Sequence, residues 1–171
     1  MDFKIEVEKL IGLTVNEAKN TIFSANARKL KELSFVDLLV DDNNEAMRHG
    51  VYIIFNSNSE CVYVGKCSSV HFVDRLGSHL GMSKNYKYTF LSKLVSYLEL
   101  PNDFSGYVSA AKEISDYKYL IINANRKGTD YIGKLEKICM LTLNPTLNNR
   151  PKKMKKITLS GEEVFDTKLY S

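Results

Sequence analysis

The chain has 171 residues and a mass of 19.5 kDa, enough for one hydrophobic core with an extension and too little for a multidomain machine. Hydrophobic residues make up 44% and charged residues 26%, with nine Gly and three Pro, which excludes disordered and collagen-like classes. Lys plus Arg outnumber Asp plus Glu by 24 to 20; a net charge of +4 permits a nucleic-acid partner but does not argue for one.

The N-terminal MDFKIEVEKL lacks the basic-then-apolar order of a secretion signal, and no apolar run approaches the roughly 18 to 20 residues of a membrane helix. A cytoplasmic protein with no membrane partner is expected. Thr14 with Glu17 is a capping-box pattern opening a helical stretch to about Lys31, and Ser34 with Asp37 repeats the signal. Residues 1–46 therefore read as a helical extension, closed by an acidic junction at 41–45. From Gly50 the pattern becomes β-branched and aromatic in two runs, GVYIIF and CVYVGK, joined by turn-forming residues 56–60: a β-hairpin. Both runs are almost continuously apolar, so helices must cover both faces of the sheet.

Helical stripes follow over residues 69–80, through Val70, Val73, Leu76 and Leu80, and from Phe90 to Leu98, stopped by Pro101. YKYLIIN, residues 117–123, is the remaining strand. A last helix begins near Asp130, capped by Thr129, and ends before Pro145. The order ββααβα, after the helical preface, gives an α+β fold. Three cysteines without a CxxC pair offer neither a disulfide framework nor a zinc cluster. The basic run RPKKMKK opens a C-terminal tail at 151–171, leaving 47–150 as the core.

The hairpin carries Gly50, Val51 and Tyr52 on its first strand and Tyr63, Val64 and Gly65 on its second. Arg75 follows on the next helix, Glu136 on the last helix, and Asn148 in the string NPTLN after it. In this order the residues resemble the GIY-YIG nuclease family, in layout its small restriction endonucleases. The resemblance implies a small three-stranded antiparallel sheet flanked by helices. A literal YIG at Tyr131, Ile132 and Gly133 sits in the first turn of a predicted helix rather than on a strand, so it is a decoy.

Hydrolysing a phosphodiester takes a base for water, positive charge around the phosphate and stabilisation of the leaving oxygen. The resemblance makes Tyr52 the general base and gives Tyr63 the orientation of water or phosphate. A phenol of pKa about 10 is a poor base unless a cation lowers it, and Lys66 is the expected cation. Gly65, lacking a Cβ, would let a phosphate approach closely. Arg75 and His79, four residues apart, share a helix face; Arg75 would clamp the phosphate and His79 would bond the phosphate or a catalytic tyrosine.

Glu136, a lone carboxylate, suits one Mg²⁺ or Mn²⁺ ion per active site, an ion that keeps several waters. Asn148 would fix the phosphate or brace the site. Lys84 and Lys87, interleaved with tyrosines, and Arg150, Lys152 and Lys153 are candidate DNA contacts. The expected activity is restriction-type double-strand cleavage of DNA, and a palindromic target would call for a homodimer. The alternatives are a structure-specific repair or phage nuclease, and an inactive nucleic-acid-binding module that keeps the fold.

Overall fold

The computed structural model describes residues 3–41, 45–81, 89–149 and 157–170. Two long strands form the expected hairpin, β3 (Gly50–Phe55) and β4 (Cys61–Cys67), antiparallel with Tyr52 opposite Gly65 and a register shift between Ile54 and Phe55. The last strand, β5 (Lys118–Asn123), lies antiparallel on the other side of β3, with Tyr52 opposite Ile121. These three strands are the antiparallel sheet expected from the sequence.

The sheet is larger than that. β1 (Lys4–Glu6) pairs parallel with β5, and β2 (Arg28–Lys29) pairs antiparallel with it, so the sheet is mixed and five-stranded. The strictly three-stranded antiparallel sheet is thus corrected, as is the purely helical N-terminus. The Thr14 and Glu17 capping box does open α1 (Val15–Ser24), where Glu17 N–H donates to Thr14 Oγ1 at 3.2 Å and Thr14 N–H to Glu17 Oε2 at 2.8 Å. The Ser34 and Asp37 pair closes reciprocal bonds around only one 3₁₀ turn, Val36–Leu38.

Helices α2 (Phe72–His79) and α3 (Phe90–Tyr97) follow the hairpin, α3 capped by Thr89. α2 is shorter than the 69–80 stripe suggested, and Val70 is exposed. A further helix, α4 (Phe104–Ile114), precedes β5, with Asp103 accepting from Gly106 N–H at 3.1 Å as its N-cap. α5 (Thr129–Leu143) begins one residue earlier than expected, with Gly128 rather than Thr129 at the cap, and ends in left-handed Asn144 just before Pro145. Among the described residues no helix is long and apolar enough to cross a membrane.

All residues of β3 are buried, as the apolar runs implied, because helices cover both faces. On one face Val51, Ile53, Phe55, Val64, Leu120 and Ile122 pack against α1 and α5 through Ala18, Ile22, Ile132, Leu135 and Ile138. On the other, Tyr52, Ile54, Tyr63, Tyr119 and Ile121 pack against α2, α3 and α4 through Phe72, Leu76, Phe90, Leu94 and Ala110. The ends of the chain join these cores: Phe3 and Phe165 are fully buried, and Phe165 N–H donates to Leu13 O at 2.7 Å.

Candidate functional site

Strand alternation places three tyrosines from three adjacent strands on the face covered by α2, α3 and α4. Tyr52 on β3 lies between the others, its ring centroid 6.1 Å from that of Tyr63 on β4 and 5.7 Å from that of Tyr119 on β5. The rings are nearly parallel, at 27° and 17°. Opposite Tyr52, a Cβ on Gly65 would collide with the Tyr52 hydroxyl. The glycine therefore lets the phenol lie across the β4 backbone, a role different from the phosphate approach expected of it.

α2 brings two polar side chains to these rings. His79, only 5% exposed, is hydrogen-bonded through Nε2 to the Tyr52 hydroxyl. Its other ring nitrogen, Nδ1, accepts from Phe90 N–H at the start of α3 at 3.1 Å. A nitrogen that accepts carries no proton, so the ring proton is assigned to Nε2, which donates to the Tyr52 oxygen. Burial, aided by the charges of Arg75 and Lys93, lowers the imidazole pKa to about 4, so the ring is neutral at pH 7.

Arg75, one turn earlier, is the cation acting on both phenols. Burial drives the Tyr52 pKa upward, the neighbouring Tyr63 adds to the rise, and Arg75 opposes it. Tyr63 is raised by burial, lowered by Arg75 and raised by the charge of Glu136. Arg75 Nε is buried and has no hydrogen-bond partner among the described residues; the fully buried Tyr119 hydroxyl is in the same condition.

Glu136 reaches Tyr63 electrostatically from α5, which packs on the other sheet face. Its Oε2 lies 3.2 Å from Lys66 Nζ, with the carboxylate side chain 22% exposed and the lysine 39%. Lys66 lies over α5, its Nζ close to Gly133, and it is not among the charges acting on Tyr52. The place expected for Lys66 beside the phenol is taken by Arg75. The Tyr131, Ile132 and Gly133 string lies in the first turns of α5, on a helix as its pattern indicated.

Asn148 spends its amide on the backbone of β4. Its Oδ1 accepts from Val64 N–H at 2.8 Å and its Nδ2 donates to Val64 O at 2.7 Å, while Leu147 N–H donates to Val62 O at 2.9 Å. The loop after α5 thus extends β4 with strand-like bonds, and Asn148 braces the strand that holds Tyr63 and Gly65.

Two residues near the tyrosines escaped the reading of the sequence. Tyr119 was detectable, since period two in YKYLIIN puts it on the face of Ile121. Lys93, on α3, places its Nζ 5.1 Å from the Tyr63 ring centroid and had no motif to mark it. His71 caps the start of α2 and bonds Arg48 Nε at 3.1 Å, away from the phenols. Lys84, Lys87, Arg150, Lys152 and Lys153 lie outside the described residues.

Among the described residues no three His, Cys, Asp or Glu side chains cluster as a metal cage. The partly exposed Glu136 carboxylate, which here pairs with Lys66 and acts electrostatically on Tyr63, is the residue that would hold one hard divalent ion retaining most of its waters, in place of the lysine.

Residues 48–114 match the family model described as the GIY-YIG catalytic domain, a domain of endonucleases that act on DNA and generally depend on a divalent metal. The matched stretch takes in Tyr52, Tyr63, Arg75 and His79 and stops short of Glu136 and Asn148. Comparison with curated proteins and with solved structures returned no match.

Proposed function

We propose, on the premise that residues 48–114 are a GIY-YIG catalytic domain, that this protein is a magnesium-dependent endonuclease making restriction-type double-strand cuts in DNA. The observation that carries the reading is the meeting of Tyr52, Tyr63, Arg75 and His79 on one sheet face, with Glu136 acting on Tyr63 from α5.

Burial disfavours a charge on Tyr52, and the imidazole N–H and the guanidinium that meet its oxygen are the groups that would offset that cost if it ionises. His79 cannot act as its base in this tautomer; it stabilises the phenolate instead. Once its own hydroxyl proton has passed to solvent water, Tyr52 as phenolate takes the proton of the attacking water. Tyr63, nearer the surface at 8% exposed against 1% for Tyr52, orients water or phosphate through its hydroxyl. Arg75 offers its donors to the non-bridging phosphate oxygens. A magnesium or manganese ion held by Glu136 would supply charge stabilisation for the departing 3′ oxygen. Asn148 keeps β4, and with it Tyr63, in register. A single site cuts a single strand at a time, so double-strand cleavage of a palindrome would use a two-fold dimer.

Digestion of plasmid DNA and of branched junctions with Mg²⁺ tests the reading. Discrete plasmid fragments support restriction-type cutting, and junction-only cleavage would replace it with a structure-specific nuclease. Glu136→Ala is expected to lose at least about two orders of magnitude in rate while still binding DNA. A wild-type rate in Glu136→Ala would overturn the metal assignment.

A further inference from the structure

The cations around the tyrosines are not equivalent. Lys66 has its carboxylate, Glu136, at 3.2 Å. Lys93 has none: among the described residues no Asp or Glu lies within ion-pair distance of it, although its side chain is half-buried against Tyr63 and its charge reaches His79. Burial pushes its pKa down. An ammonium group held over an aromatic face gains a modest attraction from the ring and keeps donors free for an anion that comes to that face.

The position says which anion. Lys93 sits on α3, which covers the tyrosine face of the sheet and whose first residue fixes His79 through its N–H, whereas Glu136, the partner of Lys66, comes from α5 on the other face. With its Nζ 5.1 Å from the Tyr63 ring centroid, and its charge acting on His79 as that of Arg75 does, the Lys93 ammonium is placed to meet a negative group that approaches Tyr63. We propose that Lys93 binds a backbone phosphate of the DNA strand that lies across Tyr63, as a substrate-docking residue of this site. The proposal rests on the nuclease reading. It adds a cation on the α3 side of the tyrosines, where the sequence carries no recognisable motif.

The test is a salt titration of duplex binding in a Glu136→Ala background, which prevents cleavage during the measurement. Lys93→Gln is expected to weaken binding about tenfold and to lower the slope of log Kd against log salt by about 1, the loss of one phosphate contact. Lys93→Arg should restore both. A purely structural role for Lys93 would leave the slope unchanged, so a parental slope in Lys93→Gln overturns the proposal. If Lys93→Gln fails to fold by thermal unfolding, Lys93→Met keeps the apolar stem over Tyr63 and reads the same slope. Metal-dependent plasmid cleavage by the wild-type chain is measured separately. Cleavage with an unchanged Lys93→Gln slope sinks the lysine assignment alone, whereas absence of both cleavage and DNA binding sinks the nuclease reading and the assignment together.

Discussion

The two faces of the central sheet are built from the same three strands and do opposite things. Toward α1 and α5 the strands offer Val51, Ile53, Phe55, Val64, Leu120 and Ile122, and the core there is aliphatic. Toward α2, α3 and α4 they offer Tyr52, Tyr63 and Tyr119, met by His79, with Arg75 charged beside them. The first face is cheap to bury and carries stability; the second withdraws hydroxyls, an imidazole and a guanidinium from water, each at a cost. Of the three buried side-chain atoms without a partner among the described residues, Arg75 Nε and the Tyr119 hydroxyl lie on the second face. Stored polar strain on one side of a strand is tolerable because the other side is packed to hold it.

Truncation on the aliphatic side should have the largest effect on stability. Ile53, fully buried, is expected to lose about 2–5 kcal/mol as Ile53→Ala, read by urea unfolding, with cleavage per folded molecule unchanged. A fall in specific activity as large as that of a tyrosine variant would erase the division between the faces.

Between about pH 6.5 and 4, acid should act on the tyrosine side through His79. The His79 pKa is about 4 in the folded protein and about 6.5 in the unfolded chain, so between these values the unfolded chain binds more protons. Stability contributed by the neutral ring is complete above pH 6.5 and is lost as pH falls toward 4, by up to about 3 kcal/mol. Unfolding midpoints measured across this window should fall less steeply in His79→Gln, and an identical slope would remove His79 as the cause.

Asn148→Ala strips two bonds from β4 and should cost about 1–3 kcal/mol by thermal or urea unfolding, with a weaker cleavage rate. Tyr119→Phe sharpens the comparison most finely. It keeps the ring stacked on Tyr52 and removes a hydroxyl that has no partner among the described residues, so stability should hold or rise by about 1 kcal/mol at most. A clear loss would show that this hydroxyl is bonded.

What could be read from the sequence divides along physical lines. The hairpin was legible because β-branched and aromatic residues crowd into two short runs, and His79 because it follows Arg75 by one helical turn. Glu136 stood out as a carboxylate in an apolar helix. β1 and β2 were not legible: KIE and RK carry no strand signature of their own, and their pairing comes from the edge of β5. α4 hid behind small and polar residues, its one clear mark being the Asp103 cap. The work of Gly65 depends on a phenol from the neighbouring strand, the bracing by Asn148 on a strand edge far off in sequence, and the setting of Lys93 on a ring from β4. Contacts between distant segments leave no local period to detect.

Single-turnover cleavage of plasmid DNA with Mg²⁺, wild type beside Tyr52→Phe, probes the phenol on which the polar face converges. A phenylalanine at this position keeps the ring between its two neighbours, so DNA binding should persist while the cleavage rate falls by at least about 100-fold. Cleavage by Tyr52→Phe at the wild-type rate would contradict the assignment of catalysis to the tyrosine face of the sheet.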